Sequence, residues 1–302
     1  MRLFLLPVST HRTLIYCQRL NVVTTKNNTS LLDKATSRAT NLWAGWEKKE
    51  SGWQRKVVDL GNKAFKRIPY EEWGLKSIPP LSTRREAEES GSKKKVEVLF
   101  PSTVLPQDSV GEVLRTLATE RQKLHKSRMI YSIAGLPIAA PFGLIPLIPN
   151  LPFFYLCFRA YSHWKALRGS QHIEFLLDKN LISKQPSKIL DQLYARQMLP
   201  KSKSGPKTKP KPVPSKPPKT ERMLLQESDG SRIASLLHIP ELQLELERAV
   251  WQVERDLKAK KDLRDEKERL DSANSQAKTK TSARISPSQF ILYSKNITDL
   301  HL

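Results

Sequence analysis

MIYSIAGLPIAAPFGLIPLIPNLPFFYLCF, the run Met129–Phe158, holds thirty residues without an Asp, Glu, Lys, Arg or His. About twenty apolar residues suffice to cross a bilayer, so the run has the length to do so. Pro137, Pro141, Pro146, Pro149 and Pro152 exclude one straight helix, because each proline lacks an N–H and clashes with the preceding turn. What remains is a broken apolar arm over Met129–Ile148, a turn at Pro149–Asn150, and a proline-free helix from Phe153 towards Arg168. Both flanks are cationic, with Arg121, Lys123, Lys126 and Arg128 before and Arg159, Lys165 and Arg168 after. Cationic flanks stay on one side of a membrane, so a helical membrane hairpin that enters and leaves by one face is expected. Those seven cations would contact lipid headgroups, and Tyr155, Tyr161 and Trp164 would anchor the interface. The competing reading is an apolar core segment buried within the protein.

Outward from this run the chain is basic. Over 302 residues, 52 Lys plus Arg against 30 Asp plus Glu leave a net charge of +22, which calls for a polyanionic partner, either nucleic acid or an anionic membrane. An apolar content of 38% with 21 prolines is too lean to fill the whole length with core, so disordered basic segments are expected. Two cysteines, Cys17 and Cys157, exclude a disulfide scaffold and a four-thiolate zinc site.

Before the run, the first acidic residue is Asp33, preceded by Arg2, Arg12, Arg19 and Lys26 among hydroxyl and apolar residues. That composition suits a mitochondrial import signal. The same residues also read as two strands, Met1–Val8 and Thr13–Gln18, around a turn at Ser9–His11. Leu31–Ile68 reads as one long amphipathic helix whose Trp43, Trp46 and Trp53 suit either a membrane interface or a packed face. A connector follows over Tyr70–Leu81, then a charged loop over Arg84–Lys95. Val96–Phe100 reads as a strand, and a helix runs from Asp108 or Ser109 to Arg128.

After the run, Gln171–Met198 reads as two helical pieces parted by Pro186. Lys201–Lys219 carries seven lysines and six prolines and reads as a solvated spacer with capacity for RNA or anionic lipid. Pro240–Leu270 is helical, and its stripe Leu242, Leu246, Ala249, Val250, Val253 and Leu257 suits a partner helix or the chain's own body. The expected fold is mostly α with a small α+β N-terminal part, a helical membrane hairpin, and a disordered basic linker and tail. Its organisation is a basic region over 1–128, the hairpin over 129–168, and helices over 169–198. A linker over 199–222, a helical segment over 223–270 and a tail over 271–302 complete it.

Chemical motifs are missing. There is no HExxH, CxxC, GxGxxG or GxSxG, so no catalytic, cofactor or metal residues are assigned and the chain reads as a non-enzyme. His163 and His172, nine residues apart, have no acid-rich metal set nearby, His125 and His238 are equally isolated, and they read as surface histidines. Glu71 and Glu72 beside Trp73 have the composition of a general acid/base pair, but adjacent residues on a loop rarely converge.

Four blocks carry a resemblance: MRLFLLPVSTHRTLIYC at 1–17, RIPYEEWGLKSIPPL at 67–81, PNLPFFYLCFRAYSHWKALRGSQHIEFLL at 149–177, and LLHIPELQLELERAVWQ at 236–252. Their order and content resemble the fungal family of mitochondrial K⁺–H⁺ exchange-related proteins. The resemblance implies a mitochondrial inner-membrane protein required for potassium/proton exchange, and it favours Met1–Gln18 as retained structure. It transfers no ion-binding residues. With no ionisable group inside the uncharged run apart from the Cys157 thiol and the tyrosine hydroxyls, an accessory subunit of an exchange complex is expected rather than a stand-alone carrier. Anionic inner-membrane lipid, and protein partners through 241–257, are the expected contacts. The alternative is a membrane-tethered RNA- or ribosome-associated factor, which the +22 charge would also serve.

Overall fold

The strand that follows Met1 takes an inner place in the sheet of the folded body. The computed structural model describes residues 1–18, 38, 41–91, 94–141, 150–198 and 220–284. Two compact units are present, Met1–Val253 and Glu254–Leu302. The first unit is mostly helical around a small sheet with strands β1 (Arg2–Pro7), β2 (Thr13–Gln18), β3 (Val96–Phe100) and β4 (Ile182–Pro186). Their order is β2-β1-β3-β4, antiparallel between β1 and β2 and parallel across the other two pairs.

The reason β1 is central lies in its sequence, RLFLLP, an apolar run buried on both faces. Such continuity belongs to strands covered on both sides. Leu3 and Leu5, with Ile15 and Cys17 across the β1–β2 ladder, enter one core with Val96, Val98 and Phe100 of β3. Phe4, Leu6 and Leu14 are buried on the opposite face. The N-terminal segment is therefore a structural hairpin, the second of the two readings open in the sequence.

Helices α1 (Trp53–Lys66), α2 (Tyr70–Ser77) and α3 (Thr83–Gly91) lie between β2 and β3. Helices α4 (Ser109–Thr119), α5 (Gln122–Ala139) and α6 (Leu151–Asp178) lie between β3 and β4. The Leu3/Leu5 core is closed by Leu75 and Ile78 at α2, by Val110, Leu114 and Ala118 of α4, and by Ala166, Ile173 and Leu176 of α6. The three α4 residues recur every fourth position, one helical face. After β4 come α7 (Lys188–Met198), α8 (Glu227–Leu237) and α9 (Pro240–Arg284). Tyr194 of α7 sends its hydroxyl to the Pro7 carbonyl at 2.9 Å, tying β1 from its second face.

Two close approaches fix α2. A Cβ on Gly74 would strike the Ile15 carbonyl oxygen, and one on Gly169 would strike the Leu75 carbonyl oxygen. Glycine at both positions lets α2 lie against β2 on one side and α6 on the other.

The α5–α6 pair is an antiparallel helical hairpin, with Gly135 against Leu156 and His125 against His163. Asn150 organises its far end. The side-chain oxygen accepts from Phe153 N at 3.1 Å as the α6 cap, and the amide nitrogen donates to Ala139 O at 2.7 Å at the end of α5.

Several expectations are corrected. Among the described residues no helix is long and apolar enough to cross a membrane. The uncharged run is divided between the end of α5 and the start of α6, with 142–149 outside the described residues. The membrane-crossing hairpin is therefore not supported. The expected helix over Leu31–Ile68 is broken before α1, where Gly52 has φ 102°, and a separate helical stretch covers 41–47. Residues 31–37 and 39–40 lie outside the described residues, as do those of the lysine–proline linker over 199–219. The expected connector is α2, the charged loop contains α3, and the helix expected to reach Arg128 ends at Thr119. Of the expected tail, 271–284 belongs to α9, and 285–302 lies outside the described residues.

Leu242, Leu246, Ala249, Val250 and Val253 are buried within the first unit, the other outcome left open by the sequence. Gln252 secures this part of α9 to the α1–α2 junction. Its side-chain oxygen accepts from Tyr70 N at 2.9 Å, and its amide nitrogen donates to Lys66 O at 3.0 Å and Ile68 O at 2.8 Å. The second unit, described by itself, is helical over 254–284, and over 254–275 it is charged and mostly exposed, with Leu263 and Leu270 in solvent.

Candidate functional site

Where α2, α5 and α6 meet, the interior holds charge. Glu72, on the first turn of α2, is 1% exposed. Arg159 of α6 grips it with two parallel bonds, Nη1 to Oε1 at 2.9 Å and Nη2 to Oε2 at 3.1 Å. Ser162 Oγ donates to the same Oε1. Arg159, Ser162 and His163 sit at i, i+3 and i+4 of α6, one helical face, which is why three polar side chains reach a single carboxylate.

The network runs on into two histidines. Arg159 Nη2 lies 2.8 Å from His163 Nε2, and His163 Nδ1 lies 3.1 Å from His125 Nδ1 on α5. A guanidinium only donates, so His163 Nε2 must accept and its proton must sit on Nδ1. That proton points to His125 Nδ1, which leaves the His125 proton on Nε2. His125 Nε2 is buried and has no hydrogen-bond partner among the described residues.

The electrostatics agree with this assignment. Burial would raise the Glu72 pKa, yet the Ser162 hydroxyl and the Arg159 guanidinium together hold it below the usual carboxylate range. Burial pushes His125 down to about 4, with Arg121 and Arg159 adding to that and Glu72 opposing. His163 falls likewise to about 4, through burial first and then Arg159 against Glu72. At neutral pH the group is one ion pair with two neutral imidazoles.

Donor atoms of Glu72, His125 and His163 lie within 4.8 Å of one another, a composition able to hold a divalent cation. The hydrogen-bond directions oppose that use. A metal on His163 Nδ1 would require a proton on Nε2, which would face the Arg159 donor, and Arg159 already occupies both Glu72 oxygens. The guanidinium charge adds repulsion. The residues do not fit a metal, and the network serves instead as a directional lock between three helices.

Next to it, Lys76 is buried with Nζ 3.5 Å from the centre of the Trp73 ring, and the Arg248 guanidinium of α9 lies 4.4 Å from the same ring. Burial pushes Lys76 down to about 8, with Glu72 opposing. Arg248 also pairs with Glu245 at 2.7 Å.

Of the cations expected at headgroups, Lys123, Lys126, Arg128 and Arg168 are exposed, and Lys165 is half-buried. Arg121 pairs with Glu71 at 2.7 Å. Arg159 is corrected outright, because it is buried in the carboxylate–histidine network. Tyr155, Tyr161, Trp164 and Trp53 are exposed. Trp43 packs over Gly61 and against Phe65, which meets Phe158 at 5.1 Å, so this face partly covers the body. Trp46 packs on Trp53. His125, His163 and His172 are buried, against expectation; His172 Nδ1 meets Pro79 O at 2.8 Å and Nε2 meets Glu89 at 2.7 Å. The legible signal was the spacing of Arg159, Ser162 and His163 on one helix face.

Comparison with known proteins agrees with the earlier resemblance. Residues 2–177 match the profile of a family described as mitochondrial K⁺–H⁺ exchange-related. An uncharacterized protein of Schizosaccharomyces pombe is 32% identical over 192 residues, covering 64% of this chain and 82% of its own length. An uncharacterized protein of Saccharomyces cerevisiae is 27% identical over 164 residues, covering 47% of this chain and 51% of its own. No solved structure matches.

Proposed function

Because the chain belongs to the mitochondrial K⁺–H⁺ exchange-related family, we propose that it serves potassium/proton exchange at the mitochondrial inner membrane as an accessory subunit, not a stand-alone carrier. The supporting observation is the state of Glu72. A carrier needs an ionisable group that a cation and a proton can occupy in turn. Both Glu72 oxygens are engaged by Arg159 and one also by Ser162, so this buried carboxylate has a permanent internal counter-ion. The three-helix junction it ties together is a rigid body suited to holding or regulating other subunits. No catalytic step belongs to this role.

The test is passive swelling of isolated mitochondria in potassium acetate, with and without the protein, followed by purified chain in potassium-loaded liposomes. Loss of swelling that nigericin restores, with inactive liposomes, is the expected result. Normal swelling without the protein would overturn the exchange role and favour the RNA-associated alternative. Potassium/proton exchange by the purified chain would overturn the accessory role.

A further inference from the structure

The outer face of the α5–α6 hairpin is apolar where solvent should favour polar groups. Ile130, Tyr131, Ile133 and Ile138 of α5 are 51%, 73%, 51% and 74% exposed, and Phe154 of α6 is 61% exposed. Contiguous apolar patches on a protein surface mark interaction sites. One helical turn away along α5, on the side nearer its start, Lys123, Lys126 and Arg128 are also exposed. The order along the helix is therefore cationic collar first, apolar end second. On α6, Tyr161 and Trp164 stack at 5.9 Å and are partly exposed at the level of the collar.

Length decides what this surface fits. From Met129 to Ala139, α5 extends roughly 16 Å, about half of the ~30 Å hydrocarbon core. The described apolar end of α5 thus matches the depth of one leaflet, and no described helix is long and apolar enough to cross both. A collar of Lys and Arg at the base matches anionic headgroups, and Tyr and Trp at the same level match the interface. A protein partner would have no need of this graded order of cation, aromatic and aliphatic groups. Resting on the inner-membrane reading above, we propose that the α5–α6 hairpin inserts into a single leaflet of an anionic bilayer. Ile130, Tyr131, Ile133, Ile138 and Phe154 enter the acyl region while Lys123, Lys126 and Arg128 bind headgroups.

Full-length protein is floated with phosphatidylcholine vesicles, with and without cardiolipin. Wild type floats with the cardiolipin vesicles. The exposed double substitution Tyr131→Glu with Ile138→Glu lowers binding at least tenfold while leaving circular dichroism and Tm unchanged. Lys123→Glu with Lys126→Glu removes the preference for cardiolipin. In a Cys157→Ser background, an Ile138→Cys variant carrying a fluorophore on its new thiol is quenched by acyl-chain-brominated lipid, and the unlabelled variant on sealed vesicles does not react with impermeant thiol reagent enclosed inside. Wild-type-like flotation of the Tyr131/Ile138 variant overturns the proposal, as does labelling of Cys-substituted position 138 from the vesicle interior, which would mean a full crossing. The swelling assay separates this from the exchange role: normal swelling without the protein, with flotation intact, removes the role and leaves the docking standing.

Discussion

Arg159 and Glu72 are each tolerable in the interior only because of the other. Removing one partner of a buried ion pair leaves an uncompensated charge, at a cost of about 3–5 kcal/mol. Arg159→Ala is expected to lower stability in urea by that order, whereas Arg159→Met with Glu72→Gln should recover much of it. A double-mutant cycle that finds the two single losses simply additive would remove the pair from its role as a lock. The histidines add a pH dependence. Unfolded, each titrates near 6.5; folded, each titrates near 4, so between these values the unfolded state binds more protons. Stability is then fully present above pH 6.5 and falls as pH drops towards 4, by about 1.4 kcal/mol per pH unit per histidine. The depressed Glu72 carboxyl acts in the same direction at lower pH. Urea midpoints at pH 7 and pH 5 should differ by roughly 2–4 kcal/mol of stability. Equal midpoints would show that the imidazoles are not held neutral. The pairing of the two histidines was not legible in sequence, because His125 and His163 are 38 positions apart and on different helices. Only the turn of the α5–α6 hairpin makes them neighbours.

Among the elements, β1, β2 and β3 could be read from the sequence because apolar residues there are continuous or alternate, and their flanks hold turn residues. β4 could not. ISKQP has one apolar residue, and its place in the sheet comes from the parallel register with Val96–Phe100. The break at Gly52 was equally hidden, since tryptophans and leucines keep a helical spacing across it. The uncharged run was misjudged for a related reason: hydropathy counts residues along the chain, while crossing a membrane requires them within one helix. Asn150 opens α6 beside the end of α5. By capping α6 and donating to Ala139 O, it ties the two helix ends together. Asn150→Ala should cost about 1–2 kcal/mol, and hydrogen exchange should speed up at the last turn of α5 and the first of α6. Unchanged exchange at both places would count against this double cap.

For the molecule as a whole, the +22 charge sets the conditions under which any anionic surface is bound. Contacts by exposed cations weaken with salt as the Debye length shrinks from about 10 Å at 0.1 M to about 3 Å at 1 M. Binding to anionic vesicles should fall as salt rises, and a residual salt-resistant fraction should depend on the apolar end of α5. The two-unit organisation gives a separate expectation. Because the core of the first unit closes by Val253, a chain ending there should keep the thermal transition of the full protein. A large loss of Tm would mean that 254–302 contributes to that core after all.

Along these residues β1 comes before the other elements, and almost everything that holds it is made later. Arg2–Phe4 pair with Glu97–Leu99, Pro7 waits for Tyr194, and Ser9 bridges to Met223. Contacts between such distant parts of a chain form slowly, because long loops must close before they are rewarded. The opening hairpin can form early, but its four-stranded sheet cannot be completed until β4, which ends at Pro186, has been made. Through most of its synthesis the polypeptide therefore lacks a finished core, which is the condition in which a chain can still be threaded through a narrow pore.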